Sequence, residues 1–391
     1  MPPPTLCGSV SRRYSLGMRP PVPRTDFPDL TAAVLSPAPL AQAETIPSAW
    51  YLEPRFHALD REAVFGSAWH YLGPAERLAA PGDAICGTAA GEPILVVRDR
   101  EGVLRAFHNV CRHRGGPLLM EDSACGLKAL TCKYHGWTYL LDGSLRGVPS
   151  WDRVELFDRK DFGLVPVRVE LWEGMVFVHL EADAPPLAQA MAAVTSRIGV
   201  GRLGALRYAG RISHPVAANW KVYVDNYLEG YHIPYVHPEL MTLLDFQAYT
   251  TEVHPGYSLQ WSPLTPGGDN PYGGTSGGEA LYYHVFPHLM LNILPGRLQV
   301  NLVEAVAHDR CLVHFDSYHA EVESTGARGR IAADEAYSGR VQAEDAEICE
   351  RVQVGLASRA YDRGRFSVEC EEAVHHFQGM LKGAYARWLS G

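Results

Sequence analysis

Two short cysteine–histidine pairs restrict the folds open to this chain more than any other feature of its sequence. The first pair is Cys111 and His113, separated by one residue, and the second is Cys132 and His135, separated by two. Pairs at the tips of neighbouring β-loops can converge on one metal centre, which requires a scaffold that holds the two loops side by side. The chain has 17 histidines and 8 cysteines in 391 residues, too long for a disulfide scaffold, so metal binding explains these residues better.

Two kinds of metal centre use two cysteines and two histidines. Zinc accepts such a set, but zinc modules typically pair cysteine with cysteine and histidine with histidine. A Rieske [2Fe–2S] centre places two cysteines on one iron and two histidines on the other, so each loop supplies one of each. The spacing favours the iron–sulfur centre, and Gly115, Gly116 and Gly136 leave room for backbone N–H groups to approach the sulfur atoms.

The two loops resemble the Rieske fingerprint, including the Gly-Trp that follows the second histidine. Rieske proteins of respiratory complexes carry an additional cysteine pair beside the cluster, and those positions hold Gly116 and Tyr134 here. The resemblance is therefore to the oxygenase and ferredoxin type.

A second motif lies about 100 residues further along the chain. Asn226, Glu229 and His232 advance by three and would share one face of a helix. His232 and His237 are five apart, about 140° around an ideal helix, so they cannot share a metal unless Pro234 breaks the helix. Two imidazoles and a carboxylate form the facial triad of non-haem Fe(II) oxygenases. A lone histidine pair would more often be chance spacing, but the iron–sulfur motif upstream favours the iron site.

The two motifs in this order resemble the α subunits of Rieske non-haem iron oxygenases, the aromatic-ring-hydroxylating dioxygenase superfamily, over residues 45–391. The resemblance implies a third iron ligand, an aspartate on a helix nearer the C-terminus. Asp345 is the best match, and Asp362 is the weaker alternative. It also implies a Rieske [2Fe–2S] cluster and a mononuclear Fe(II) as cofactors and O2 as co-substrate.

Glu229 matches the carboxylate that, in this family, joins a Rieske histidine of one subunit to an iron-bound histidine of its neighbour. By the resemblance, His135, Glu229 and His232 form an electron route across the interface of a homotrimer. Many ring-hydroxylating members have aspartate here, and glutamate in this context looks more like the choline and carnitine monooxygenases. Glu229 and Asn226 are the candidate catalytic residues.

The expected fold is α+β with three segments. Residues 1–45, rich in proline and arginine, predict a flexible N-terminal extension, with a targeting segment as the alternative. Residues 46–180 predict a helix followed by an all-β Rieske domain. Residues 181–391 predict a catalytic domain of antiparallel sheet and helices, helix-grip-like by the resemblance. Within it, the glycine- and proline-rich segment 263–278 is a candidate lid.

Composition excludes several classes of function. The net charge of −9 argues against nucleic-acid binding, and no window of about 18 uncharged apolar residues exists to span a membrane. The expected location is the cytoplasm. Since no Gly-x-Gly-x-x-Gly fingerprint is evident, NAD(P)H is expected to act only through a separate reductase, with or without a ferredoxin.

The expected function is that of a terminal oxygenase that hydroxylates or N-demethylates a small molecule. The leading substrate is a quaternary ammonium or betaine-like compound, with an aromatic compound acted on by a ring-hydroxylating dioxygenase or demethylase as the alternative. The alternatives from other functional classes are a pure electron carrier and a zinc-stabilised binding protein. Aromatic side chains could form a cage for the cation, and the candidates are Trp261, Tyr272, Tyr282, Tyr283, Phe286, Phe315 and Tyr318.

Overall fold

The computed structural model describes residues 22–237, 248–264 and 278–391, and residues 22–45 lie against the body of the protein. They form a 3-10 turn at Arg24–Asp26, helix α1 at Ala32–Leu35 and a second 3-10 turn at Leu40–Gln42. Phe27 is 3% exposed and contacts Phe56 and Trp388 with its ring edge. The prediction of a flexible extension is therefore wrong for residues 22–45, because a few spaced apolar side chains anchor the segment. Residues 1–21 lie outside the described part of the chain.

The predicted helix before the Rieske domain is a series of short pieces. Helix α2 spans Ala49–Leu52, α3 spans Pro54–Leu59, and a π-helical turn follows at Asp60–Phe65. Pro54 occupies the first turn of α3, where its missing N–H has no intrahelical partner to lose. Asp60 is fully buried and accepts hydrogen bonds from Lys221, Trp220 and Tyr385.

Ten strands follow, and they confirm the predicted all-β domain. Seven of them form one antiparallel sheet in the order β1-β10-β9-β4-β3-β2-β5, and β6, β7 and β8 form a small sheet. The tight turn at Gly143 has φ +86°, and an added Cβ there would meet Phe107 at 2.4 Å. The strands are β1 His70–Pro74, β2 Ala84–Ala89, β3 Glu92–Arg98, β4 Leu104–His108, β5 Ser123–Ala124, β6 Leu130–Thr131, β7 Thr138–Tyr139, β8 Leu145–Gly147, β9 Pro166–Trp172 and β10 Met175–His179.

The remaining elements build a second antiparallel sheet with helices on it, which confirms the α+β class. Seven strands run in the order β11-β17-β16-β15-β14-β13-β12. Helix α8 packs against α6 and β11, and α9 packs against β12. The elements are α4 Leu187–Ala190, α5 Ala192–Ile198, β11 Arg207–Val216, α6 Trp220–Tyr227, α7 Ile233–Val236, β12 Thr250–His254, β13 Tyr257–Pro263, β14 Glu279–Val285, β15 Leu289–Leu294, β16 Arg297–Ala307, β17 Arg310–His319, α8 Thr325–Leu356 and α9 Glu372–Ser390.

The candidate lid cannot be placed in this fold. Of the segment 263–278, residues 265–277 lie outside the described part of the chain, and so does Tyr272. The lid therefore stays a prediction.

Buried imidazoles at the junction of the two sheets should make the protein acid-sensitive. Burial lowers the pKa of His70 and His284 to about 4. Their unfolded-state pKa is about 6.5, so each stabilises the folded state fully above that pH. The contribution, at most about 3 kcal/mol per histidine, is lost as the pH falls from 6.5 towards 4.

The variant His284→Asn should therefore lose part of this pH dependence. We expect its deficit in urea stability, relative to the parent chain, to be largest at pH 7.5 and to shrink by pH 5. The control is His375→Asn, since the His375 side chain contacts the Ala38 carbonyl at an exposed site. Stability curves of the His284 variant and the parent that stay parallel from pH 7.5 to 5 would contradict this account.

Candidate metal centres

The two cysteine–histidine loops fold alike. Cys111 follows β4 and Cys132 follows β6, and each carbonyl accepts a hydrogen bond from a glycine N–H four residues later, Gly115 at 3.0 Å and Gly136 at 2.9 Å. Both glycines have φ near +73°, a conformation that glycine adopts without strain. An added Cβ at Gly116 would lie 3.0 Å from the Cys132 sulfur, so this position has little room for a side chain.

The loops bring the four predicted side chains to one place and separate them by type. Cys111 and Cys132 are each 2% exposed and belong to the core of the domain. The rings of His113 and His135 lie beside each other with centroids 4.6 Å apart. The cysteines therefore face inwards and the histidines lie together nearer the surface.

These two cysteines and two histidines fit a [2Fe–2S] cluster, because without a ligand their buried polar atoms would be costly. His113 Nδ1 is buried without a hydrogen-bond partner, which costs about 1–3 kcal/mol unless a ligand satisfies it. Burial is also the main reason that the pKa of the Cys111 thiol is raised. A metal ion that takes the sulfur as thiolate and the nitrogen as a ligand removes both costs.

Aromatic side chains surround the four residues. The indole of Trp137 stacks on His113 with centroids 5.0 Å apart and planes 5° apart. The Tyr139 hydroxyl accepts a hydrogen bond from the Arg112 N–H at 3.0 Å and lies 3.3 Å from the Cys111 sulfur. Because the Tyr139 oxygen already accepts the Arg112 N–H, the hydroxyl hydrogen can be donated to the Cys111 sulfur.

Replacing Tyr139 with phenylalanine should lower the reduction potential of the cluster. A hydrogen bond to a thiolate ligand stabilises the reduced, more negative state, and its loss at about 0.5–1.5 kcal/mol corresponds to about 20–60 mV for one electron. A redox titration followed by absorbance measures the shift. Tyr134→Phe is the control, because Tyr134 is 60% exposed. An unchanged potential in Tyr139→Phe would show that this hydroxyl does not donate to Cys111.

Three side chains of the second motif also converge. One ligand atom each from His232, His237 and Asp345 lies within 4.8 Å of the other two. Asp345 Oδ1 is 2.9 Å from His237 Nε2 and 3.7 Å from His232 Nε2. The two histidines flank helix α7, and Asp345 lies on α8. The alternative ligand Asp362 does not join them, since its side chain is 66% exposed and pairs with Arg363.

The backbone reaches this arrangement differently from the prediction. Helix α6 ends at Tyr227, so Asn226, Glu229 and His232 do not share one continuous helical face. Pro234 lies in the first turn of α7 rather than at the end of a longer helix. A proline at that position favours helix initiation, because it costs no intrahelical hydrogen bond. The break therefore falls before His232, around Glu229.

A carboxylate contacts the Nδ1 atom of each of the two histidines, on the opposite side of the ring from Nε2. Glu229 Oε1 contacts His232 Nδ1 at 2.7 Å, and its other oxygen accepts the His232 backbone N–H at 2.9 Å. Glu344 Oε2 contacts His237 Nδ1 at 2.7 Å. These contacts direct both Nε2 atoms towards Asp345, the arrangement that metal-binding histidines use.

Asn226 completes the group by donating a hydrogen bond from Nδ2 to Asp345 Oδ1 at 2.7 Å. Burial alone would lower the pKa of His237, but the hydrogen bonds and charges of Asp345 and Glu344 raise it. The group therefore attracts a cation to its centre, a proton or a metal ion. Two imidazoles and one carboxylate are the donor set of non-haem Fe(II), so these residues fit that metal.

A cavity of about 160 Å³ opens from these three residues and lies between the sheet and α8. Its floor is a row of side chains paired in register across four strands, Gln260 with Tyr282, Tyr282 with Asn292 and Asn292 with Gln299. The further aromatic residues that line the cavity are Tyr223, Tyr227, Tyr249, Phe315 and Tyr337.

Only part of this aromatic lining was predicted. Tyr282 and Phe315 line the cavity, whereas Tyr283 and Tyr318 belong to the core between the sheets. Trp261 donates to Glu252 and Phe286 packs on Phe377, so neither contributes to the cavity wall. The missed residues Tyr223 and Tyr227 are four apart on α6, a spacing that could have placed them on the same face as the metal motif.

Comparisons with known proteins agree with this architecture. The family model for the Rieske [2Fe-2S] domain matches residues 68–158, and the model for the ring hydroxylating alpha subunit (catalytic domain) matches residues 203–387. The chain belongs to the Rieske non-haem iron oxygenase α subunits. It is an oxidoreductase that incorporates O2, with a Rieske [2Fe–2S] cluster and a mononuclear iron as cofactors and a reductase as the electron donor.

Within the family, the similar proteins include oxygenases of quaternary ammonium compounds. The chain is 34% identical to the chloroplastic choline monooxygenase of Arabidopsis thaliana, over 88% of this chain and 83% of that protein. It is 31% identical to the carnitine monooxygenase oxygenase subunit of Escherichia coli (strain K12), over 87% and 93%.

Solved structures of Rieske oxygenases share this fold. A quaternary ammonium Rieske monooxygenase involved in carnitine oxidation superimposes with a TM-score of 0.82 at 29% identity, covering 90% of this chain and 99% of that one. Naphthalene 1,2-dioxygenase has the same fold, with a TM-score of 0.72 at 18% identity over 90% and 98%. In the residues described, no helix is both long and apolar enough to cross a membrane.

Proposed function

We propose that this chain is the terminal oxygenase of a system that hydroxylates or N-demethylates a quaternary ammonium compound. The observation that carries the proposal is the tyrosine lining of the cavity beside His232, His237 and Asp345. Aromatic faces attract a quaternary ammonium by about 0.5–2 kcal/mol per ring and need no hydrogen bond from it. The named activities of the choline and carnitine monooxygenases support the same class of substrate.

Several of these tyrosines have hydroxyls that are hydrogen-bonded to the protein. Burial raises the pKa of Tyr282 to about 12. The Tyr227 hydroxyl donates to Asn292 at 2.7 Å, and the Tyr249 hydroxyl donates to Gln260 at 2.9 Å. With these polar atoms satisfied, the rings offer the cavity an apolar, electron-rich lining rather than competing donors.

In this proposal the ligands divide between the two centres. Cys111 and Cys132 hold one iron of the cluster and His113 and His135 hold the other. His232, His237 and Asp345 hold the mononuclear iron, and Asn226 and the two glutamates behind the histidines orient these ligands. When bound, the mononuclear iron supplies O2 activation, while the chain excludes bulk water and positions the substrate methyl group.

Glu229 is proposed to connect two subunits. Its carboxylate already contacts His232, and it is 13% exposed, so it lies close to the protein surface. A histidine from another copy could meet this edge, and His135 is the cluster-side candidate. The electron path would then run from His135 of one copy through Glu229 to His232 of the next.

Exposed apolar side chains beside both centres support a homotrimer. Near the cluster, Met120, Tyr134 and Leu156 are 65%, 60% and fully exposed. Near Glu229, Tyr231 and Tyr235 are 53% and 82% exposed. In the proposed trimer, head-to-tail contact between the two patches would cover both of them. Sedimentation equilibrium tests the assembly, and a species of the chain mass of 43.1 kDa alone would contradict it.

Two experiments test the proposed activity. Absorption and EPR spectra of the aerobically purified protein should show an oxidised [2Fe–2S] cluster that gives a Rieske-type signal on reduction. A colourless protein that contains zinc would contradict the oxygenase assignment. A reductase-coupled O2-uptake screen should then show substrate-dependent uptake with quaternary ammonium compounds. Uptake and product formation only with aromatic acids would favour the alternative substrate class.

A further inference from the structure

One wall of the catalytic cavity is polar, although tyrosine rings line much of the rest. On β16, Gln299 and Asn301 are two residues apart and point to the same face of the sheet. On α8, Ser338 and Gln342 line the same cavity and are four residues apart, and the ligand Asp345 follows three residues later. Two polar rows, one on the strand and one on the helix, therefore lead along the cavity towards the metal ligands.

The inner end of this wall carries two polar atoms that need a partner. Asn301 Oδ1 and Gln342 Nε2 are buried without a hydrogen-bond partner among the described residues, which are 3% and 2% exposed at these positions. The Gln342 Oε1 accepts a hydrogen bond from the Tyr223 hydroxyl at 2.6 Å, which fixes the orientation of the amide. Because unsatisfied buried polar atoms cost stability, an acceptor and a donor on one cavity wall indicate ordered water there.

A second, smaller cavity of about 20 Å³ lies on the other side of this wall, and we call it the side pocket. The two cavities share four lining residues, Arg297, Gln299, Phe315 and Ser338. The rest of the lining of the side pocket includes His214, Ser317, Glu335 and Gly339. Ile212 also lines it and is 40% exposed, so the side pocket reaches the surface beside β11. Since about 10–15 Å³ is enough for one water molecule, the side pocket has room for one.

The strand register connects the side pocket to the edge of the sheet. Ser317 is paired with Gln299 on one side and with Gly210 on the other, and paired residues point to the same face. The Ser317 hydroxyl donates to the Gly210 carbonyl at 3.4 Å. Gly210 lies on β11, the edge strand of the described sheet, and has no side chain that closes the row. The polar row therefore continues from the cavity to the outer edge.

Arg297 fixes the wall that the two cavities share. Its Nε donates to Asp334 Oδ2 at 2.6 Å, and its Nη2 donates to Ser338 Oγ at 3.0 Å and to Gln299 Oε1 at 3.2 Å. A hydroxyl that accepts one hydrogen bond can donate another, and an amide whose oxygen is engaged still has N–H donors. Ser338 and Gln299 are therefore held in place while they can still contact water.

The activity of the enzyme class requires protons in this cavity. Incorporation of one oxygen atom consumes O2, two electrons and two protons and gives the hydroxylated product and one water. Incorporation of both atoms consumes the same electrons and protons and releases no water. The reductase supplies the electrons, but the protons come from solvent. A cavity that excludes bulk water therefore needs a polar passage for them.

We propose that the polar wall holds a file of water molecules that carries protons from the side pocket to the metal end of the cavity. The file begins at Ser317, passes the shared wall and ends between Asn301 and Gln342. Glu335 and Asp345 are ten residues apart on α8, about 15 Å, which a few waters at about 2.8 Å spacing span together with these side chains. Each proton ends on an oxygen atom that comes from O2. This inference goes beyond the proposed function, because it holds for any substrate.

Gly339 allows a test that leaves the metal ligands untouched. An added Cβ at Gly339 would meet no atom within 4 Å, and leucine favours a helix more than glycine does, so Gly339→Leu should fold. Its side chain should fill the side pocket. We expect kcat to fall about 10- to 100-fold, up to the lower end of what positioned proton transfer contributes, with an unchanged KM for the substrate. The solvent isotope effect on O2 uptake should increase in D2O, because proton delivery becomes rate-limiting.

The water positions provide a readout that needs no turnover. A crystal structure of the parent holoenzyme that resolves ordered water should show water within hydrogen-bond distance of Asn301 Oδ1 and Gln342 Nε2, and one water in the side pocket. In Gly339→Leu the water of the side pocket should be lost while the inner waters remain. A parent structure with no water at Asn301 and Gln342 would overturn the proposal.

Gly329→Leu is the matched control. Gly329 also lies on α8, and an added Cβ there would also meet no atom within 4 Å, but it lines neither cavity. This variant should keep the kcat and the isotope effect of the parent. Ser317→Val is a second way to interrupt the file, since it replaces the hydroxyl of the side pocket with a methyl group, and it should increase the isotope effect too.

The kinetic outcomes are separate from those of the proposed function. If Gly339→Leu and Ser317→Val both leave the isotope effect unchanged, or if they act only by raising the KM for the substrate, the water file is refuted. The assays use the compound that gives the fastest O2 uptake in the screen, whatever its class. Failure to oxidise quaternary ammonium compounds would therefore contradict the proposed function but not this inference.

Discussion

Replacing Glu229 with glutamine should lower substrate-coupled turnover by about 10- to 100-fold while both metal centres remain loaded. The reason is the position of its carboxylate, which contacts His232 through the side chain and through the backbone N–H. Glutamine keeps the size of the side chain but removes the negative charge that contacts His232 Nδ1 at 2.7 Å. Iron content and the EPR spectrum of the cluster should match those of the parent.

A single-turnover measurement locates the defect. With the cluster reduced in the absence of O2 and substrate bound, mixing with O2 should oxidise the cluster rapidly in the parent and slowly in Glu229→Gln. Glu344→Gln is the matched control, because Glu344 makes the equivalent 2.7 Å contact to the other histidine. That variant should bind iron less tightly but reoxidise the cluster normally once iron is supplied. Parent-like reoxidation in Glu229→Gln would refute the electron-transfer role.

Replacing Asp345 with alanine should abolish oxygenase activity by removing the mononuclear iron. One Asp345 oxygen and one nitrogen from each of the two histidines lie within 4.8 Å of one another, so the three side chains can bind one ion. Two imidazoles alone hold Fe(II) too weakly to survive purification. Metal analysis should find the iron of the cluster but not the third iron, with an unchanged cluster spectrum. The outcome distinguishes a ligand from a residue that merely stabilises α8.

The control for Asp345→Ala lies two residues further along the same helix. The Glu347 side chain is 71% exposed, and among the described residues its ion-pair partner is Arg351 on the surface of α8. Glu347→Ala removes an equal charge and should change neither iron content nor turnover. A full complement of iron in Asp345→Ala would exclude it as a ligand.

The sequence predicts which candidate side chains lie together in the structure, because ligand spacing is a local property. Cys111 and His113 need only a short loop to reach one centre, and His232 and His237 need only a short helix between them. The chain order of the two motifs and the all-β character of the first domain follow from similar short-range patterns. The structure brings both groups together as expected, although through a helix break at a different residue.

The partners of these ligands could not be predicted, because they depend on long-range packing. Glu344 lies beside Asp345 in an acidic stretch of α8, where nothing local shows which acid faces inwards. Arg297 reads as an ordinary strand residue until α8 is placed over the sheet. The segment at residues 22–45 appeared loose, because proline spacing hides that Phe27 packs against parts of the chain far away.

The packing of N-terminal residues against α9 affects how the chain folds during translation. Asp60 and Tyr385 share a buried hydrogen bond although they are 325 positions apart, and Phe27 contacts Trp388. The Rieske domain, by contrast, is continuous in sequence, so all of its strands are translated before the catalytic sheet. The catalytic core must wait for α9, which is translated after all the described strands of its sheet. Until then its first helices remain unpaired, which makes them the part of the nascent chain that most needs protection from aggregation.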